Sequence, residues 1–168
     1  MITKLLRSMF VLPLLLVYGM VGASADTTGT GSNMTITAPA SATLTARVAM
    51  TVTVQVECSA PDLSQYTIFY PPTIFFNSGT VFVSQASRTS VNRTMSGFGP
   101  VTCDGTSYPY TVYLTANTAP FHPGPAAIFA TASWTEQWGG CLNVAPYTCS
   151  FLSVSDSASV QGPLTLSP

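Results

Sequence analysis

The sequence predicts an all-β fold, an antiparallel two-sheet sandwich of about seven strands held by two disulfides. Three observations carry that expectation. Residues 48–58 alternate strictly, with Val48, Met50, Val52, Val54, Val56 and Cys58 in one phase and Ala49, Thr51, Thr53, Gln55 and Glu57 in the other, as on a strand with one buried face. Turn residues recur between such runs, and nothing after residue 25 has helical periodicity. All four cysteines, Cys58, Cys103, Cys141 and Cys149, fall in the part of the chain that reads as exported.

Residues 1–25 read as a secretory signal peptide. Lys4 and Arg7 form its positive end, residues 9–20 an apolar centre containing Pro13, and Ala23-Ser24-Ala25 the small residues of a cleavage site. Later stretches are too short and too polar to cross a bilayer, so no membrane span is expected after cleavage. Residues 26–42 are a flexible N-terminal segment that can carry a short edge strand at 34–37, ended by Pro39. Residues 43–168 form the domain.

Within it the alternation from Leu44 to Cys58 is too long for one strand, which calls for a bend near Ala46-Arg47 or a separate first strand. Residues 59–65, with Pro61-Asp62, read as a loop. The run 66–76, YTIFYPPTIFF, is aromatic and cannot be a continuous central strand because Pro71-Pro72 lies within it. It reads as a strand to Tyr70, a kink, a short extended piece, and a turn at Asn77-Ser78-Gly79. Residues 80–84 alternate again, and 85–96 read as a polar surface connection. Val101-Thr102-Cys103 reads as a short strand, followed by the tight-turn pair Asp104-Gly105. Residues 108–116 and 126–134 alternate, separated by a Pro-rich loop. Gly139-Gly140 opens a cysteine-closed loop. The last strand is 151–160, with Asp156 in phase with Leu152 and Val154, which suggests an early stop or a bulge.

An even cysteine count in an oxidising compartment implies two disulfides, for which three pairings exist. Cys58–Cys103 and Cys141–Cys149 are favoured, with chain-entropy contributions of roughly 4 and roughly 2.6 kcal/mol. If the strand order is immunoglobulin-like, 48–58 is the second strand, 101–103 the fourth and 108–116 the fifth, and both staples gather at one pole. Zinc is not expected, because the spacings are wrong and no histidine lies near a cysteine.

The stretches TLTARVAMTVTVQVEC, VTCDGTSYPYTVYLT and FHPGPAAIFATASW, followed by two further cysteines and a final strand, resemble small exported immunoglobulin-like proteins of bacteria. The resemblance runs from about Thr43 to Val160, and is plainest at 101–105 and 121–126. It implies an immunoglobulin-like fold and export, and implies no activity. The aromatic run 66–76 and the polar run after it depart from that pattern.

Charge excludes several functions. Beyond residue 25 the cations are Arg47, Arg88 and Arg93, against Asp26, Glu57, Asp62, Asp104, Glu136 and Asp156. A net negative chain without a basic face is not suited to nucleic acid or to an anionic membrane. His122, the only histidine, has no nucleophile–carboxylate constellation around it in the sequence. Glu57 and Glu136 are the one carboxylate pair considered for glycosidase-type chemistry, which needs a defined separation. Asn33 and Asn92 begin glycosylation tripeptides too common to weigh.

The expectation is therefore a non-catalytic, secreted or cell-envelope module with no cofactor and no metal. It would bind an extracellular protein or glycan at the stapled pole through Trp138, Tyr147 and Trp134, aromatics that bracket the Cys141–Cys149 loop. The phase of Trp134 also fits a core position. The alternative is a structural, self-associating surface protein using the aromatics of 66–76.

Overall fold

A computed structural model describes residues 33–86, 91–117 and 119–168; of Val91 and Asn92 it describes only the backbone. The expected signal peptide lies outside these residues, as do Arg88 and residues 26–32 of the expected flexible segment, whose remainder is described.

The described chain forms eight strands: β1 (Asn33–Thr37), β2 (Ser41–Thr45), β3 (Ala49–Ser59), β4 (Tyr66–Ala86), β5 (Val91–Phe98), β6 (Ser107–Thr115), β7 (Gly124–Leu142) and β8 (Cys149–Ser167). Among the described residues there is no helix. Hydrogen bonding joins all eight into one mixed sheet in the order β1-β3-β2-β8-β7-β4-β5, with β6 on the other edge of β3. The β2–β8 pair is the one parallel contact, Ser41 opposite Thr165 and Thr43 opposite Ser167. This pair qualifies the expectation of a purely antiparallel arrangement.

The long alternating run resolves into two strands. Its bend is a tight hairpin turn in which Ala46 and Arg47 have φ of 50° and 60° and the Val48 N–H donates to the Thr45 carbonyl. With Thr45 opposite Ala49 the connection has three residues, and positive φ at Ala46 and Arg47 gives it the twist of the primed hairpin turns. Val48 sits in that turn and is exposed, so the buried face of β3 begins at Ala49 and Met50. The domain boundary expected at residue 43 falls inside β2.

From Met50 to Cys58 the even positions of β3 are buried. They share one core with Met34 and Ile36 of β1, Val112 and Leu114 of β6, Val81 and Val83 of β4, Ile128, Ala130, Ala132 and Trp134 of β7, and Leu164 and Leu166 of β8. The sheet is therefore folded over on itself, with β2 as the hinge between its halves. β6 pairs with β3 as expected for the fifth strand of the sequence order, Val52 opposite Val112.

Three expectations fail in detail. Residues 66–86 form one strand, and the expected turn at 77–79 is absent. Register shifts against β7 occur between Ile68 and Tyr70, Tyr70 and Thr73, and Phe76 and Ser78. Pro71 and Pro72 occupy the second bulge, where a missing N–H removes no regular ladder bond. β5 pairs with β4 only from Gly79 onward, so among the described residues the 66–78 half of β4 is a sheet edge, the place where proline is tolerated. Second, residues 91–98 are a strand and not a surface connection. The buried Thr94 hydroxyl donates to the Thr115 carbonyl at 2.6 Å, which ties β5 to β6. Third, Val101–Cys103 is loop, although Cys103 does bond to Cys58. The Asp104-Gly105 turn is present: Gly105 has φ 79° and its N–H donates to the Cys58 carbonyl.

β7 and β8 are each 19 residues long, in unbroken register from Gly124–Leu166 to Cys141–Cys149. Asp156 neither ends the strand nor bulges it. Because β3 has 11 residues, the β7–β8 ladder and the first half of β4 run on past its end as a three-stranded tip.

Candidate functional site

The tip is where the expected binding residues lie. In β7 the even side chains face inward and the odd ones outward. Trp134 fills the core, and Trp138 is 1% exposed, its ring packed edge-on to Tyr66 with centroids 4.6 Å apart. Neither indole is on the surface. Tyr147, in the loop closed by Cys141–Cys149, is 74% exposed. Of the three aromatics expected to make contacts, the structure thus presents one.

The loop bearing Tyr147 is held at its base. Both disulfides have the favoured pairing, with Cα–Cα separations of 4.3 Å for Cys58–Cys103 and 3.9 Å for Cys141–Cys149. Both β3 and β7 finish at the same end of the sheet, so the two staples share that end, the second at its extremity. The Leu142 N–H donates to Thr148 O, and Asn143 N–H to Gln65 O. The Thr67 hydroxyl donates to Asn143 Oδ1 at 2.6 Å. These bonds moor the loop to the start of β4.

The outer face of the tip brings part of the 66–76 aromatic run together with Phe151, a meeting the sequence did not suggest. Tyr70, Gly139 and Phe151 stand in one row across β4, β7 and β8. Phe69 and Phe151 meet edge-to-face at 5.1 Å, and Tyr70 and Phe151 at 5.8 Å with planes at 58°. Gly139 makes room for them: a Cβ there would lie 2.7 Å from Phe69 Cε2 and 3.0 Å from Phe151 Cε1. Gly140 does the same on the inner face, where a Cβ would come within 3.1 Å of Ile68 and Tyr66. The glycine pair is thus part of the strand and not the mouth of a loop. Phe151 is 71% exposed, and Phe69, Tyr70 and Phe75 are about half exposed. A cleft of about 400 Å³ opens here, lined by Tyr70, Gln137, Phe151, Leu152 and Ser153.

Below the cleft the outer face of β7 and β8 is hydroxylic, with Phe75 of β4 standing opposite Thr135. Ser78 and Ser133 hydroxyls lie 2.9 Å apart, as do Thr135 and Ser155, and the Asn77 amide donates to Thr135 Oγ1. β4, β7 and β8 contain no lysine or arginine, and their two acidic residues, Glu136 and Asp156, lie in the inward phase. The face is therefore uncharged.

The remaining sequence candidates are dispersed. Glu57 is exposed on the outer face of β3, whereas Glu136 is buried under the inner face of β7. The two carboxylates do not share a cleft. His122 has an exposed side chain, and its backbone is clamped by the buried Gln85: Nε2 donates to His122 O at 2.8 Å, and Oε1 accepts from His122 N–H at 2.9 Å. At the other turn, Asp104 Oδ2 accepts from Tyr108 OH at 2.6 Å and Oδ1 from Thr106 N–H at 2.8 Å. These bonds hold the Asp104 carboxyl below its ordinary value, the Tyr108 hydroxyl contributing most. Among the described residues no cluster of His, Cys, Asp or Glu is placed to hold a metal ion.

No protein-family model, curated protein or solved structure matches this chain.

Proposed function

We propose that this is a non-catalytic, exported binding module, secreted or held at the cell envelope, whose recognition surface is the stapled tip. One observation carries the reading: large aromatic side chains, Phe69, Tyr70 and Phe151, are held exposed and uncharged on a disulfide-closed, cross-strand platform. Exposed apolar clusters of this kind on a rigid scaffold mark interaction sites, because little side-chain entropy is lost when they are covered. Export is consistent with the two disulfides and with the N-terminal sequence. The folded-over sheet, with β3 and β6 facing β7, β8 and β4 across one core, supports an immunoglobulin-like two-sheet arrangement joined through β2. The partner in this reading is an extracellular protein or glycan.

Self-association through 66–76 is the weaker reading. The edge of β4 is broken by its bulges and by Pro71-Pro72, which are devices that discourage strand addition.

The test is binding of labelled, processed protein to the surface and extracellular material of the cells that produce it. Tyr147→Ala and the pair Tyr70→Ala/Phe151→Ala should each weaken binding while leaving the unfolding midpoint within a degree or two. Equal binding by parent and variants would remove the tip from the mechanism. Trp138→Ala is no probe of contact, since it would empty the packing beneath the tip.

A further inference from the structure

We infer that the cleft beside the Tyr70–Phe151 pair is a subsite for a sugar ring of a neutral polysaccharide, whose chain lies along the hydroxyl track of β7 and β8. The inference rests on the proposed binding role of the tip and narrows it to one chemistry. A pyranose has an apolar C–H face and a rim of hydroxyls. The cleft offers matching groups: an aromatic platform made by Tyr70 and Phe151, which pack on each other with centroids 5.8 Å apart, and beside it Gln137 and Ser153. Its 400 Å³ lies within the range of small-ligand sites, about 300–1,000 Å³.

Charge selects against the alternatives. A uronate, a sulfated glycan or a phosphate would call for arginine or lysine at the cleft, and β4, β7 and β8 have neither; Arg93, exposed on β5 opposite Ser84, lies at the far end of the track. A protein hot spot is usually centred on a well-packed, fully desolvated pocket anchored by tryptophan, tyrosine or arginine. Here both tryptophans are buried, and the cleft is open and half polar.

The track explains why a chain fits better than a single sugar. From the row of Gly139 the outer face continues through Gln137–Ser153, Thr135–Ser155, Ser133–Ser157 and Thr131–Ser159. It ends at a second apolar group, the exposed Met95 and Phe129 with the partly buried Phe82 between them, neighbours across β5, β4 and β7. Ten residues of β7 separate Phe129 from Gly139, about 33 Å at the usual rise of a strand. Stacking platforms at both ends with hydroxyls between them suit an extended, uncharged polymer.

Affinity electrophoresis through gels containing mannan, xylan, starch or hydroxyethylcellulose, with alginate as the anionic control, tests this. At least one neutral polymer should retard the protein and alginate should not. Tyr70→Ala/Phe151→Ala should weaken the interaction tenfold or more, and Gln137→Ala/Ser153→Ala severalfold. Phe129→Ala should weaken binding of the polymer but not of a disaccharide fragment. All these side chains are half-exposed or more, or lie on the outer face, and thermal melts of each variant establish that it is folded. Retardation by no neutral polymer, or retardation indifferent to the Tyr70/Phe151 change, overturns the inference. The broader reading fails separately. If cell-surface binding depends on the tip but survives periodate oxidation of vicinal diols and is abolished by surface proteolysis, the module binds a protein and the glycan inference alone is lost.

Discussion

The β2–β3 turn makes a prediction whose size can be worked out from the backbone. Ala46 and Arg47 lie at φ 50° and 60°, in the left-handed region that costs an ordinary L-residue roughly 1–2 kcal/mol. Asn-Gly is the pair that accommodates two such residues most readily. Replacing Ala46 by Asn and Arg47 by Gly should relieve about 2–3 kcal/mol of strain. The greater freedom of glycine in the unfolded chain returns roughly 0.5–1 kcal/mol of that. A net gain of about 1–2 kcal/mol remains, equivalent to a rise of roughly 3–6 °C in Tm for a domain of this size. The turn's tertiary bonds use main-chain atoms only: Arg47 O accepts from Phe121 N–H at 2.8 Å and Val48 O from Ala116 N–H at 2.8 Å. Both survive the substitution. Ala46→Val supplies the opposite sign, since a β-branched residue fits this region worst, and should cost about 1 kcal/mol. Urea unfolding of the three proteins, with unchanged m, measures the differences. A variant pair that leaves Tm unmoved, or an Asn-Gly turn that lowers it, would show that the turn does not hold two left-handed residues.

A Cβ at Gly79 would come within 2.5 Å of the Phe98 ring, which is itself lodged between Phe76 and Tyr110 at 5.9 and 5.4 Å. Gly79→Ala should therefore cost roughly 1–3 kcal/mol in denaturant unfolding, and the cost should largely disappear in a Phe98→Ala background. In acid, Asp104 should protonate below its ordinary value of 3.8. A carboxyl depressed in the folded state contributes stability above its unfolded pKa, and loses it as pH falls through the folded value. Tyr108→Phe should raise the Asp104 midpoint, read by carboxyl-carbon NMR, and an unmoved midpoint would dissociate the hydroxyl from the effect.

What was legible in the sequence was whatever a single strand reports about itself. The alternation at 49–58, the turn at Ala46-Arg47 and both cysteine pairings could be read directly, since two-residue periodicity and turn chemistry are local. β4 was misread because proline is a breaker in a central strand, and whether a strand is an edge depends on neighbours far away in sequence. β5 was missed because its inward phase, Thr94, Ser96 and Phe98, is mostly polar; the buried Thr94 is made tolerable inside by the Thr115 carbonyl. The phase that placed Trp134 in the core extends to Trp138 through Glu136, but a buried glutamate made the strand look finished. The aromatics of 66–76 were visible as a run, but their meeting with Phe151 had no local signal. It depends on a register shift in β4 and on Gly139 lying between two other strands, and only the assembled sheet brings those residues together.

The parallel clasp of β2 on β8 has a kinetic consequence. Ser41 and Thr165 are separated by 124 positions, and closing so large a loop is entropically costly before any contact rewards it. The hairpins β2–β3 and β7–β8 close locally, so they can form while the two halves of the sheet are still apart. Until the clasp forms, Leu164 and Leu166 have no roof, and the half-built core is open to neighbouring chains. Crowded refolding of this protein should therefore lose yield at the joining of its halves, and not at the formation of either one.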